Sequence, residues 1–201
     1  MQANEQVPTR SAMLQLREEQ GIIHEAYDFL DEKRLLLAAE LLRQLNQYQK
    51  LLNKYEKLRQ RAEQALVATV RRHGLQGTQV YPGHYLENAD MGMTNWLFMG
   101  VNLMKTELKI PEAHNLAEVC QPSPEAEKCR HFFLEMVKLA AIIAGVSGNL
   151  HRLLAEYRRT ERRARALENV VIPEIARKLR DMSTRLEELE QEDIVRVHLK
   201  Y

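Results

Sequence analysis

From about Arg10 to His73 the apolar residues recur at alternating three- and four-residue intervals, the spacing of a coiled-coil seam. One seam runs through Leu16, Ile23, Tyr27, Leu30, Leu37, Leu41, Tyr48, Leu51, Tyr55, Leu58, Ala62 and Ala65, with Gln20, Arg34 and Gln44 interrupting it. The pattern predicts one long helix. Its stop is marked by Arg71, Arg72 and His73, which put positive charge in the last turn, and by Gly74 in the position after it.

A second long helix is predicted from Ser123 almost to Tyr201. Ser123 suits the N-cap, Pro124 the first helical position, and Glu125 and Glu127 the positive end of the dipole. Leu179, Met182, Leu186 and Leu189 continue a four-three spacing, whereas Leu167, Val171, Ile175 and Leu179 are four apart each time, which locally changes the supercoil. Gly145 and Gly148 weaken this helix or let another helix come close, and Pro173 is expected to kink it.

Residues 75–122 differ in character and hold most of the Gly, Pro, Asn and aromatic residues. Val80-Tyr81 and Trp96 to Leu103 read as short strands, and Pro82-Gly83 and Asn88-Ala89-Asp90 as turns. A small insertion containing a β-hairpin is expected. Met91, Met93, Met99 and Met104 serve either as a partner surface or as its core filling.

Length then decides the architecture. At about 1.5 Å per residue the helices are about 95 and 110 Å long, whereas a compact globule of this size is about 40 Å across. Both apolar stripes are buried most simply by folding the helices against each other. The expected fold is all-α: a long antiparallel two-helix coiled coil with a small insertion at one tip and both termini at the other. Segments 1–73, 74–122 and 123–201 are the two shaft helices and the insertion between them. Facing positions are expected to add to about 205, with Tyr55 near Leu150 and Leu30 near Ile175.

Composition agrees. Of 201 residues 45% are apolar and 28% charged, with 8 Gly and 6 Pro, the make-up of long helices. A formal net charge of +1 gives no whole-chain case for nucleic acid or an anionic membrane. No run approaches about 18 uninterrupted apolar residues. The longest candidate, Met136 to Val146, contains Lys138, so no direct membrane insertion is expected. Met1 to Arg10 lacks the apolar core of a secretory signal, and two cysteines make no disulfide framework. A reduced, cytoplasmic setting is expected.

Catalytic signatures are missing. The sequence has no G-x-x-x-x-G-K-[ST] phosphate loop, no G-x-S-x-G elbow and no Glu-x-x-His pair. No enzyme activity and no cofactor are expected. Cys120, Cys129 and His131 are the nearest approach to a metal cluster, but their spacing matches no strong zinc pattern, and thiols near a helix start are the simpler reading. The basic run Tyr157 to Arg165 could touch phosphates, but it carries Glu161 and follows Glu156, as a solvated helix face would. No nucleic-acid partner is expected.

Pro8-Thr9-Arg10 with Leu14, Leu30 with Lys33-Arg34, Met99-Gly100-Val101, Arg162 to Glu168 with Ile172-Pro173, and Leu186 to Glu192 together resemble stretches of the D-subunit family of V-type (vacuolar and archaeal-type) rotary ATPases. Pro8-Thr9-Arg10 with Leu14 is similar to that family's opening, and Leu30 with Lys33-Arg34 to the segment after it, though Leu35 stands where Asp is common. Arg162-Arg163-Ala164-Arg165-Ala166-Leu167-Glu168 followed by Ile172-Pro173 looks like its Arg-Arg-x-Asn-Ala-Leu-Glu…Ile-Pro stretch, with Arg165 in place of Asn. Leu186 to Glu192 resembles its acidic ending. Met99-Gly100-Val101 is similar to a Met-Gly-Val signature, without the proline expected after it.

The resemblance implies a central rotor axle that is not itself catalytic. The end carrying the termini would enter a ring of catalytic and regulatory head subunits. The small F-subunit would bind the shaft, and the insertion end would face a membrane-rotor component. Its candidate head contacts are Pro8, Thr9, Arg10, Arg17, Lys33, Arg34, Arg162, Arg163, Leu167, Glu168 and Pro173. A static coiled-coil adaptor or an export-apparatus stalk is the competing reading.

Overall fold

The computed structural model describes residues 9–81, 89–110 and 123–199. Helix α1 spans Arg10–Val80, strands β1 and β2 are Asp90–Phe98 and Val101–Lys109, α2 is Pro124–Ala166, a π-helical turn covers Leu167–Val171, and α3 is Ile172–His198. The predicted pair of long helices with a two-stranded antiparallel hairpin between them is the observed architecture. The chain divides into two units, Leu37–Glu156 and Met1–Leu36 with Tyr157–Tyr201.

In the unit Leu37–Glu156, Gly74 has φ 72° and ψ 172°, outside helical space, and the helix resumes beyond it to Val80. That backbone region is essentially reserved for glycine. The predicted break is therefore present, but a further helical segment follows it, so Val80 ends a helix rather than forming a strand. Thr78 donates to the Gly74 carbonyl oxygen at 2.8 Å.

The start of α2 is built as its sequence suggests. Ser123 accepts the Ala126 N–H on its hydroxyl at 3.2 Å and the Glu127 N–H on its carbonyl at 3.1 Å. Two acids in the first turn complete this N-terminus. The same hydroxyl lies 2.6 Å from His73 Nε2, and Arg72 pairs with Glu125 at 2.7 Å. The end of the long part of α1 and the start of α2 are thus tied side by side, in antiparallel sense. Thr69 and Cys129 meet further in; burial pushes the Cys129 thiol up, while its hydrogen bond with Thr69 opposes the shift.

The hairpin differs from expectation in one respect. Trp96 to Leu103 is not one strand; the chain reverses at Met99-Gly100, with Phe98 paired to Val101. Both turn residues have positive φ, 46° and 82°, as a two-residue hairpin turn of the primed type requires. Asn88-Ala89-Asp90 leads into β1, although Asn88 lies outside the described residues, as does Pro82-Gly83.

Strand β2 lies on α2. The Asn149 side-chain amide, 1% exposed, accepts the Met104 N–H at 2.8 Å and donates to the Met104 carbonyl at 2.7 Å. Thr106 donates to the Ala141 carbonyl at 2.6 Å. A Cβ on Gly145 would sit 2.3 Å from Thr106 Oγ1, so this glycine admits a strand rather than a helix, and Gly148 has nothing within 4 Å. The anchor region begins about 27 Å of helix beyond the Ser123 cap.

The seam residues behave as predicted: Leu16, Leu37 and Ala62 are buried and the other named members of the α1 seam are half-buried. The interrupting Gln44 is buried and forms a polar layer, donating to Glu40 at 2.8 Å while Arg43 binds both Glu40 oxygens at 2.6 Å. Leu150 shares a groove with Leu45 and Tyr48, one heptad before Tyr55. The register is therefore displaced from the expected one.

In the other unit the helices also run antiparallel, since Arg10 pairs with Glu190 at 2.7 Å and Lys178 feels the charge of Glu19. Pro173 is accommodated by the π turn ahead of it, where the Ile172 N–H reaches the Leu167 carbonyl. Proline cannot donate to the carbonyl four residues back and its ring crowds it; the wider turn shifts the hydrogen-bond pattern by one residue. Ile175 is buried, Leu179, Met182 and Leu186 are half-buried, and Leu189 is 44% exposed, so the seam closes one step earlier than its spacing suggests.

The helical stretch Pro124–His198 contains an 18-residue window of mean hydropathy 1.5, of which 28% is buried. By length and apolarity it meets the measure of a membrane-crossing helix, as the core helix of a packed protein also can.

Candidate partner-binding surfaces

The residues singled out from the sequence fall on the ends and outer faces of helices rather than in a cleft. Thr9 has a local structural role: its hydroxyl accepts the Ala12 N–H at 3.1 Å and its carbonyl the Met13 N–H at 3.0 Å, making it the N-cap of α1. A threonine one residue before the helix was the available signal. Pro8 lies outside the described residues.

Arg10 reaches Glu190 with Nη2 at 2.7 Å and Nε at 3.2 Å, and this hydrogen-bonded carboxylate raises the guanidinium pKa. Both side chains remain largely in water, so the pair is easily exchanged for another partner. Arg17 is exposed, Lys33 half-buried, and Arg34 pairs with Asp31 on its own helix. Arg162, Arg163, Glu168 and Pro173 are exposed, whereas Leu167 opens the π turn half-buried. Within the basic run, Thr160 and Ala164 are buried and Arg165 pairs with Glu161 at 2.6 Å. That run is one outer face of a packed helix.

Among the described residues no three His, Cys, Asp or Glu side chains converge on a metal-sized site. Cys129 is buried beside Thr69, and His131 pairs with Glu135 at 3.2 Å; Cys120 lies outside the described residues. Met91, Met93 and Met99 are exposed while Met104 is half-buried, so the methionines divide between surface and packing.

Among the described residues, apolar side chains stand uncovered in several places. Strand β1 exposes Met91, Met93, Trp96 and Leu97. The last turns of α3 expose Ile194, Val195 and Val197. A groove of about 310 Å³ between α1 and α2 is lined by Leu41, Leu42, Leu45, Tyr48, Ser147, Leu150, His151 and Leu154. This distribution defines a class: paired antiparallel helices with apolar side chains left exposed on their outer faces.

The family follows from comparison. Residues 12–199 match the model of the ATP synthase D-subunit family, and the chain belongs to that family. It is 24% identical to the V-type ATP synthase D-subunit of Thermotoga neapolitana over 190 residues, 94% of each chain. It is 29% identical to that of Thermus thermophilus over 199 residues, covering 94% of this chain and 85% of the other. The A-type ATP synthase D-subunit of Methanoregula boonei is 24% identical over 193 residues, covering 94% and 92%.

Proposed function

We propose that this chain is the central stalk of a V/A-type rotary ATPase or ATP synthase: a non-catalytic axle that couples ATP hydrolysis or synthesis in the head to proton or sodium transport. The observation that carries this reading is an antiparallel helical pair cross-tied at Arg10–Glu190 and at Arg72–Glu125, in a chain matched to the family over nearly its whole length. In this reading 1–73 and 123–201 form the shaft and 74–122 the insertion. The end carrying the termini enters the ring of catalytic and regulatory subunits, the small F-subunit sits on the shaft, and the insertion end faces the membrane rotor. The protein is then cytoplasmic and peripheral to the membrane.

An axle must pass through equivalent angular positions without sticking. Buried aromatic hot spots worth about 2 kcal/mol or more would trap it, whereas exposed ion pairs of about 0–1 kcal/mol exchange readily. Pro8, Thr9, Arg10, Arg17, Lys33, Arg34, Arg162, Arg163, Leu167, Glu168 and Pro173 are the proposed head contacts, and the exposure of most of the charged ones supports that role. The test is reconstitution of the complex with and without the chain, measuring ATP turnover and ion transport together. Transport driven by ATP should require the chain, while the chain alone should neither bind nor hydrolyse ATP in calorimetry. Coupled transport without it, or micromolar nucleotide binding by the isolated chain, contradicts the proposal.

A further inference from the structure

Strand β1 has a free edge, and β2 does not. The Met104 N–H and carbonyl both bond to the Asn149 side chain, so they point away from β1, and Asn95–Met104 is a non-hydrogen-bonded pair of the ladder. Bonding alternates along an antiparallel pair, so Met91, Met93 and Leu97 share the orientation of Asn95. Their N–H and carbonyl groups point outward, while those of Gly92, Thr94, Trp96 and Phe98 point to β2. The closing pair Phe98–Val101 falls in the bonded set, as a two-residue turn requires. Asn149 thus occupies the outer edge of β2 with an amide that imitates a neighbouring strand. The sheet has two strands, and among the described residues no hydrogen bond reaches the outer edge of β1.

That edge lacks the features by which an exposed strand avoids pairing with another chain. It runs for nine residues, Asp90–Phe98, with neither lysine nor proline. Residues 91–104 contain no charged side chain at all. The residues whose main chain points outward also put their side chains on one face, because side chains alternate along a strand. On that face Met91, Met93 and Leu97 are 44%, 56% and 74% exposed. Unbonded main-chain groups two residues apart match the period of a strand and not that of a helix, and methionines adapt their shape to a partner.

We infer that β1 receives an extended, uncharged segment of a different protein chain, which adds a third strand to the sheet alongside Met91 to Leu97. Its main chain bonds to the outward N–H and carbonyl groups, and its alternate side chains pack on Met91, Met93 and Leu97. A charge placed against this neutral stripe would lose water and gain no partner, so the incoming segment carries none there. The inference rests on the stalk reading in one respect: an axle is present once per assembly, so the added strand comes from another kind of chain and not from a second copy.

Hydrogen exchange of single amides tests it, comparing the purified full chain with the complex isolated through a tag on it. In the free chain the Thr94, Trp96 and Phe98 amides should exchange slowly and the Met93, Asn95 and Leu97 amides fast. In the complex the second set should slow by roughly tenfold or more. Asn95→Pro removes one outward N–H and spares the ladder to β2, so Thr94 and Trp96 should stay slow in the free chain while the slowing of Met93 and Leu97 in the complex is lost. Should proline disturb the hairpin, Met93→Lys with Leu97→Lys guards the edge by charge, keeps every ladder bond and should abolish the slowing at Asn95. A photo-activatable benzoylphenylalanine at Met93, irradiated in cells, should join an uncharged stretch of another chain. Outward amides that stay fast in the complex, slowing that survives the variants, or joining to a second copy or to a charged segment overturns the inference. Such a result with catalytic ATPase subunits in the preparation leaves the stalk reading intact. A preparation without those subunits counts against the stalk reading, and the alternation of amides still decides the strand inference.

Discussion

Gly145 and Gly148 lie three residues apart on one helix, and the structure assigns opposite signs to their replacement by alanine. In an unobstructed helix interior, Gly→Ala stabilises by about 1 kcal/mol through backbone propensity. Gly148 is such a position, with nothing within 4 Å of a new Cβ, so Gly148→Ala should raise stability by up to about 1 kcal/mol. At Gly145 the new Cβ would lie 2.3 Å from Thr106 Oγ1 and 3.1 Å from Thr106 Cγ2. Strand β2 must retreat, straining or breaking the Thr106–Ala141 hydrogen bond, worth about 1 kcal/mol, and adding an overpacking cost of about 1–3 kcal/mol. Set against the propensity gain, Gly145→Ala should destabilise by about 1–3 kcal/mol. Thr106→Ala leaves only the Cβ contact at 3.2 Å, so Gly145→Ala should be far better tolerated in that background. Urea unfolding followed by far-ultraviolet circular dichroism measures all four variants, and a double-mutant cycle isolates the coupling. Equal signs at the two glycines, or no coupling between positions 145 and 106, would refute the account of how the hairpin is anchored.

Three further outcomes are expected. Arg43 lowers the Glu40 carboxyl below its ordinary value of 4.5, so the stability it contributes is present at neutral pH and lost as pH falls through and below that value; Glu40→Gln should cost about 1 kcal/mol at pH 7 and flatten the acid limb of a stability–pH profile. Met99 holds φ 46°, which asparagine tolerates better, so Met99→Asn should stabilise by up to about 1 kcal/mol, read from the urea midpoint. Deleting residues 192–201 removes exposed positions, among them Ile194 at 59% and Leu199 at 81%; unfolding free energy should stay within about 0.5 kcal/mol, while ion transport per ATP in the reconstituted complex should fall.

The helical pair was legible because its determinants are local and repeated. Ser123-Pro124 with its two acids specifies a helix start, and the seam residues identify the buried face. Register was less legible: sliding one helix by a heptad returns apolar residues to apolar partners, so Tyr48 and Tyr55 are equally plausible neighbours for Leu150. What fixes the register is tertiary, in the His73–Ser123 and Arg72–Glu125 contacts. The hairpin turn at Met99-Gly100 lacks the usual Asn-Gly signal, and its positive φ at methionine is imposed by the strands on either side. Pro173 and the four-residue spacing before it announced an irregularity, but whether it becomes a kink or a π turn depends on packing that a linear pattern does not encode. The candidate contact residues were found through resemblance, whereas the α1–α2 groove needs both helices in place before its lining residues become one surface.

Native mass spectrometry of the complex purified through a tag on this chain tests the stalk reading most directly. The account predicts one copy of the chain per assembly, together with the catalytic and regulatory head subunits. Recovery of the chain alone, or as a homodimer free of ATPase subunits, would contradict it.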